Sequence, residues 1–349
     1  MGKRIAILGV GAVGSYLGAF LTRDGQDVTL IDMWAEHVDT MNRDGLRVSG
    51  AQGDFTVKVD AVHLAQARQI REPFDIAFLA MKSYDTEWAA HFLKHMVTPA
   101  GVVVSAQNCM NDQLVASIVG YEREVACVLS SITVALWEPG HVNRGGRPGH
   151  DRGYDIFRVG ELHGRITPRV EELAEMLGCI DRSRTTTNIW GERWSKLTTN
   201  ASSNPVGAMT GLGSRGLAND PRAALIQIQI SKESVQVGQA HSYQIESIGG
   251  VEADMYAHAD EGDVFEELSA LLKARAGGGD WKSSMSQDVT KGRRTEVELM
   301  NGYIALRGRE VGVPTPVNSA IVEVVKGIDE GRIAPDPSNV ERVLEMAGL

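Results

Sequence analysis

"RIAILGVGAVGSYLGAFLTRDGQDVTLID", residues 4–32, carries the reading of the fold. "RIAILG" (4–9) is an apolar run of strand length. Residues 13–24 follow with helical spacing, and "DVTLID" (27–32) is a second strand. Between the first strand and the helix stands "GVGAVG" (9–14), a full G-x-G-x-x-G formed by Gly9, Gly11 and Gly14. Alone the pattern is common. After a strand and at the start of a helix it has the context that dinucleotide binding needs. Gly9 permits the tight turn, Gly11 lets a pyrophosphate approach the backbone, and Gly14 lets helix and strand pack closely. The first helical amides, at Ala12 and Val13, then face the phosphate charge. Asp32 closes the second strand. A carboxylate there accepts hydrogen bonds from ribose hydroxyls and repels a 2′-phosphate. Met33 and Trp34 supply no cation for such a phosphate, and the nearest downstream arginine is Arg43. The expected cofactor is NAD(H) rather than NADP(H). An aspartate that caps the next turn would also suit the position.

The same alternation continues through the first half. Further strands are expected at 75–82, 101–108, 124–131 and 154–161, with a helix at 168–178. Near-continuous apolar strands separated by helices imply a parallel sheet covered on both faces. Residues 138–154, "EPGHVNRGGRPGHDRGY", are rich in Gly and Pro and are expected to form a loop. After about residue 184 the strand signal gives way to helical periodicity. The expectation is an α/β Rossmann dinucleotide-binding domain over 1–184 and an all-α C-terminal domain over 185–349. A chain of 349 residues is long enough for two cores.

The formal net charge of −10 argues against nucleic acid or an anionic membrane as the main partner. Four glycines interrupt the apolar stretch 5–21 and no cleavage site follows it, so it is read as a buried strand turning into a helix. Cys109, Cys127 and Cys179 are scattered, as in a cytoplasmic protein with reduced thiols. The nine histidines show no ligand spacing, and His141, His150 and His163 are read as loop residues, so no metal is expected.

The second half holds an unusual stripe. "SKLTTNASSNP" (195–205) spaces Lys196, Asn200 and Asn204 four residues apart, so on a helix they share one face. A ketone that accepts a hydride develops negative charge on oxygen. An ammonium within reach stabilises that charge and donates the proton, while amides orient the partners without competing for it. The same spacing would also suit a solvated amphipathic face. Pro205 is expected to bend the helix just after Asn204. Asn108 ends a predicted strand where a ligand crevice opens in such sheets. "SSMSQDVTKGRRTEVE" (283–298) offers Ser284 as a carboxylate ligand and Glu296 as a partner for a lysine, while a capping serine and a surface helix of mixed charge would also suit the pattern.

Taken in order, "GVGAVG", "LAMKSYDT" (79–86), "QN" (107–108), "KLTTNASSNP" (196–205), "SSMSQDV…GRRTEVELMNGYI" (283–304) and "GVPTPVN" (312–318) resemble the ketopantoate reductase family over nearly the whole chain. The resemblance implies a Rossmann domain joined to a helical domain and reduction of a branched 2-oxo acid to its 2-hydroxy acid, the step that makes pantoate. By motif match, Lys196 takes the position of the general acid and Glu296 that of its acidic partner. Asn108 falls at the nicotinamide end and Lys82 near the cofactor. Asn200, Asn204 and Ser284 fall at substrate positions. A homodimer through the helical domain is likewise implied. The chain departs from the family pattern in four places. Asp32 stands where many members carry a basic residue and use NADPH. Cys109 follows Asn108 in place of glycine. Ser214 stands near an expected asparagine, and the 138–154 excursion is longer. The expected activity is NAD(P)H-dependent reduction of a 2-oxo acid, ketopantoate first. The alternatives are an NAD-dependent dehydrogenase of a different 2- or 3-hydroxy acid and a non-catalytic NAD(H)-binding sensor.

Overall fold

The computed structural model describes residues 2–275 and 280–349. The chain divides into two compact units, the first ending at Ile189 and the second beginning at Trp190.

In the first unit the strands are β1 (Arg4–Leu8), β2 (Asp27–Asp32), β3 (Leu46–Gly50), β4 (Phe55–Val57), β5 (Asp60–His63), β6 (Phe74–Leu79), β7 (Val97–Ser105), β8 (Glu124–Leu129), β9 (Thr133–Glu138), β10 (His141–Gly145), β11 (Phe157–Gly160) and β12 (Ser183–Thr185). Five helices join them: α1 (Ala12–Arg23), α2 (Ala35–Asp44), α3 (Thr86–Lys94), α4 (Asp112–Val119) and α5 (Pro168–Leu177). Eight strands form the main sheet in the order β12-β11-β8-β7-β6-β1-β2-β5. From β1 the chain builds outward first through β2, then through β6, so β1 and β6 flank the point where the order reverses. In sheets of this kind the ligand crevice opens there, at the carboxyl ends of the strands.

Two expectations need correction. The sheet is parallel except that β11 runs antiparallel to β8, because the chain between them makes a hairpin and returns. The excursion 138–154 is only partly a loop. Its first part is β10, and β4-β3-β10-β9 form a second, four-stranded sheet. Val142 and Arg144 of β10 are buried. This sheet packs on α1, whose residues Gly14–Leu21 are buried without a break. A helix covered on both sides has no reason to be amphipathic. That is why the stretch 5–21 is apolar almost throughout. No helix among the described residues is long and apolar enough to cross a membrane.

One face of the main sheet packs Ile5, Ile7, Leu30 and Phe78 with Tyr16, Leu17 and Phe20 of α1. The other packs Leu8, Ile31, Leu79 and Val103 with Ala90 and Leu93 of α3 and Val115 of α4. At the end of β11, Glu161 is buried and fixes the start of α5. Arg169 Nε and Nη2 reach its two oxygens at 2.7 and 2.6 Å, and Thr167 Oγ1 donates at 2.5 Å. Burial alone would raise this carboxyl, but the Arg169 and Thr167 bonds outweigh it and hold it below the usual glutamate range. A depressed carboxyl contributes stability above its unfolded pKa and loses it as pH falls through the folded value. The denaturation midpoint is therefore expected to fall as pH drops below about 4.3, the ordinary glutamate value. Glu161→Gln should flatten that part of the profile, measured by urea titration at stepped pH.

The second unit is helical: α6 (Ile189–Thr210), α7 (Ser214–Asn219), α8 (Pro221–Ala240), α9 (Ala253–Ala257), α10 (Val264–Arg275), α11 (Ser284–Thr290), α12 (Val297–Val311), α13 (Pro316–Asp329) and α14 (Asn339–Ala347). Helix α6 lies close on α8. Trp194 is fully buried, donates from Nε1 to the Ser234 carbonyl at 2.8 Å and stacks on Tyr243 at 5.1 Å. A Cβ on Gly238 would sit 2.4 Å from Trp194 Nε1, so only glycine admits the indole.

Candidate active site

The glycine loop is built by contacts that exclude larger residues. Gly9 has φ +90°, and a Cβ there would lie 2.6 Å from the Met81 amide nitrogen in the loop after β6. A Cβ on Gly14 would fall 2.1 Å from the Gly9 carbonyl oxygen. At Gly11 a Cβ would meet nothing within 4 Å, so this stretch of backbone is open to a ligand. Ala12 and Val13 begin α1 directly behind it. The first turn of α1 has no acidic side chain to compete for an anion.

Asp32 sits beside the loop. Its Oδ2 accepts from the Val10 amide at 2.6 Å, and its Oδ1 from the Trp34 amide at 2.8 Å. The carboxylate thus pins the glycine loop and caps the following turn. Each oxygen keeps acceptor capacity for a ribose hydroxyl. Arg43 is exposed and pairs with Asp44 at 2.7 Å. His63, beside Asp32 in the register of β2 and β5, accepts from the Ala65 amide at Nδ1 and donates from Nε2 to the Met33 carbonyl at 3.0 Å.

The loops after β6 and β7 are tied together. Half-buried Lys82 directly precedes Ser83, whose hydroxyl donates to the Asn108 carbonyl at 3.2 Å. Asn111 Nδ2 bonds the same carbonyl at 2.8 Å and Ser83 Oγ at 3.0 Å, and Gln107 Nε2 reaches the Met81 carbonyl at 3.0 Å. The first unit therefore gathers Gly9, Gly11, Gly14, Asp32, Lys82 and Asn108 at the carboxyl ends of β1, β2, β6 and β7. Asn108 stands beyond the end of β7 rather than on it. Cys109 is buried with φ +66°, a left-handed conformation that suits glycine and costs other residues about 1–2 kcal/mol. The backbone keeps a glycine's path with a thiol in glycine's place. An open groove of about 630 Å³, lined by Arg68, Tyr84, Trp88 and His91 among others, lies along α3 and takes none of the predicted site residues.

In the second unit Lys196, Asn200 and Asn204 all lie on α6, one per turn. Lys196 is half-buried, and Asn200 and Asn204 are only 7% and 8% exposed. A solvated face would leave them in water, so that reading is set aside. Helix α6 continues through Pro205 without a break. Proline lacks the N–H that would bond the carbonyl four residues earlier, that of Ala201. Asn301 of α12, fully buried, supplies the missing donor from Nδ2 at 3.1 Å. The carbonyl that Pro205 leaves without a helical donor is thus satisfied by this distant amide.

Ser283 caps α11, accepting from the Ser286 amide at 3.1 Å, and its hydroxyl lies 3.1 Å from the Asn204 carbonyl. This places Ser284, the exposed first residue of α11, beside the Asn204 turn. Glu296 is buried at the N-cap of α12, the helix that carries Asn301. Ser83, Gln107, Asn111, Ser283 and Asn301 were not singled out from sequence. Only Asn301 had a usable signal, since a proline inside a helix calls for a substitute donor. Among the described residues no cluster suits a metal ion.

Comparison with known proteins agrees with this architecture. The family model described as Ketopantoate reductase PanE/ApbA matches residues 5–152, and its C-terminal counterpart matches 188–329. The 2-dehydropantoate 2-reductase of Archaeoglobus fulgidus is 30% identical over 331 residues, covering 94% of this chain and 99% of that one. A PanE/ApbA family ketopantoate reductase from Ralstonia eutropha JMP134 has a crystal structure similar at TM-score 0.77 and 25% identity, covering 94% of this chain and 99% of that one. D-mandelate dehydrogenase, solved with NADH and anilino(oxo)acetate, shares the fold at TM-score 0.78 and 22% identity, with the same coverage. A relative of that identity over nearly the whole of both chains, with both halves matched by one family's models, leaves one assignment: the chain belongs to the ketopantoate reductase family, a family of oxidoreductases acting on a CH–OH group.

Proposed function

We propose that the protein reduces ketopantoate to pantoate with NADH. The observation that carries this reading is the line of half-buried Lys196 with buried Asn200 and Asn204 on α6. Two neutral amides beside the lysine orient an oxygen-bearing substrate without taking its proton.

The glycine loop fits a dinucleotide, since backbone at Gly11 is open and Gly9 and Gly14 are held by close contacts. Gly11, Ala12 and Val13 would hold the pyrophosphate, Asp32 the ribose hydroxyls, Lys82 the cofactor's polar groups, and Asn108 the nicotinamide end. When bound, the reduced dinucleotide supplies a hydride to C2 of the substrate. Lys196 Nζ then gives a proton to the C2 oxygen as charge develops there. Glu296 holds Lys196 in place, Asn200 and Asn204 orient the substrate, and Ser284 binds its carboxylate. NADH is favoured over NADPH because Asp32 would repel a 2′-phosphate and Arg43, the nearest downstream arginine, is paired with Asp44. That D-mandelate dehydrogenase was solved with NADH supports this preference on the same fold. A homodimer through the helical unit is part of the same proposal and is read by sedimentation.

The test is steady-state oxidation of NADH and of NADPH with ketopantoate. Turnover with NADH preferred is the expected result. A preference for NADPH would overturn the role given to Asp32 and keep the reaction. No turnover with ketopantoate, but activity on another 2-oxo acid or its 2-hydroxy acid, would move the substrate and keep the roles of Lys196 and its amides. Cofactor binding with no turnover across such a panel would leave the sensor reading in its place.

A further inference from the structure

We propose that His37 is a positioning residue for the dinucleotide: through Ser15 it turns the Val10 carbonyl inward and so aims the Gly11 amide at the phosphates. The proposal rests on the reading that the glycine loop binds a dinucleotide. The observation is a chain of buried hydrogen bonds with one possible polarity. The Gly140 amide, in the turn between β9 and β10, donates to His37 Nδ1 at 2.8 Å. A backbone N–H only donates, so Nδ1 carries a lone pair and the neutral ring carries its hydrogen on Nε2. Nε2 lies 3.2 Å from Ser15 Oγ, which therefore accepts. The Ser15 hydroxyl hydrogen then goes to the Val10 carbonyl, at 2.9 Å. His37 and Ser15 are both fully buried, so water does not substitute for either.

The consequence lies in one peptide plane. Val10 is held on both sides, its N–H by Asp32 and its C=O by Ser15. No peptide bond among the described residues is cis. In a trans peptide the N–H of Gly11 points opposite to the C=O of Val10. With the carbonyl held inward, the Gly11 amide faces the opposite way, and the space beside the Gly11 Cα is also open, since a Cβ there would meet nothing within 4 Å. Burial lowers the His37 pKa, against the pull of Asp32, which favours the neutral ring that the chain of bonds requires. Trp34 stacks on the imidazole at 5.2 Å and fixes its plane. None of these residues reaches the reacting atoms through the chain described, so their effect belongs in cofactor affinity and not in the chemical step.

The experiment titrates NADH and NADPH against wild type, Ser15→Ala, His37→Phe and His37→Gln by fluorescence. Thermal midpoints and the split between KM for the dinucleotide and kcat at saturation are recorded alongside. Ser15→Ala and His37→Phe are expected to weaken the preferred dinucleotide about tenfold, in Kd and in KM, the scale of one buried hydrogen bond. In both, kcat at saturating dinucleotide should stay within about twofold. His37→Gln, whose amide nitrogen takes the place of Nε2, should recover part of the affinity. Wild-type Kd and KM in both variants would overturn the proposal, as would a loss confined to kcat. If His37→Phe fails to fold, Ser15→Ala decides, because it leaves the His37–Gly140 bond intact. Failure of the unaltered protein to bind either dinucleotide would sink the loop reading itself, and is told apart because no variant is involved.

Discussion

Replacing Lys196 with alanine is expected to lower kcat by about 10²–10⁴, the scale of a positioned general acid. The argument starts from what hydride transfer does to a ketone. Electron density arrives at C2 and leaves a negative oxygen that needs a proton and a nearby cation. In the proposed mechanism the ammonium of Lys196 meets both needs; it is half-buried on α6, the helix that also carries Asn200 and Asn204. A lysine that only anchors the substrate carboxylate would act differently. Its loss would raise KM and leave kcat nearly intact, because ground state and transition state would lose the same contact. A fall in kcat at saturating substrate therefore supports the acid, and an effect confined to KM removes it. Lys196→Arg sharpens the point. Arginine keeps the positive charge but does not give up its proton at working pH. If proton donation matters, Lys196→Arg should be nearly as slow as Lys196→Ala. If charge alone matters, it should recover most of the rate.

The supporting residues follow the same logic with smaller effects. Asn301 holds the Ala201 carbonyl where Pro205 withholds its donor. An unmade buried bond at that point costs about 1–3 kcal/mol and lets the helix bend between Asn200 and Asn204. Lys196 depends for its neighbours on an amide a hundred residues away in the chain.

That dependence shows where sequence reading runs out. The glycine motif, Asp32 and the lysine stripe were legible because each is a local pattern: spacing along one strand, one turn or one helix. Two domains were legible because strand periodicity stops and helical periodicity takes over. The second sheet was not. β4 is three residues long, and β10 reads "HVNRG", with an arginine and no clear alternation. Arg144 is tolerated inside because Asp181, far along the chain, comes to meet it. Helix α6 passes through Pro205 for the same kind of reason. The antiparallel course of β11 also follows from the hairpin that precedes it, which the Gly/Pro-rich composition concealed. In the site, the local rule placed a capping serine near 284. The structure makes Ser283 the cap and leaves Ser284 exposed beside it.

Asp181→Ala is expected to cost the first unit about 3–5 kcal/mol, the usual result of stripping a buried charge of its partner. Asp181 and Arg144 have fully buried side chains, and Arg144 Nη2 lies 3.1 Å from Asp181 Oδ2. The carboxylate also accepts from the amides of Gly149, His150 and Arg182 at 3.0, 3.2 and 2.8 Å. It is the node that ties the end of the 138–154 excursion to the main sheet. Arg144 has less to fall back on. Its Nε and Nη1 are buried and find no hydrogen-bond partner among the described residues, and its guanidinium lies 5.4 Å from the Tyr16 ring centroid. Around that ring, burial pushes the Tyr16 phenol up to about 12, with Arg144 pulling the other way, so Tyr16 offers no anion to replace Asp181. Domains are stable by only about 5–15 kcal/mol, so the loss should appear as an early unfolding transition in urea. The charge argument has its own control. If the penalty comes from an uncompensated guanidinium, adding Arg144→Met to Asp181→Ala should recover part of it, since an apolar chain of similar length carries no charge to strand. If the penalty comes from the three amides, the double variant should be no better than Asp181→Ala alone. A single-variant loss below about 1 kcal/mol, the scale of an exposed pair, would mean that water reaches the site and that the node does not hold the excursion in place.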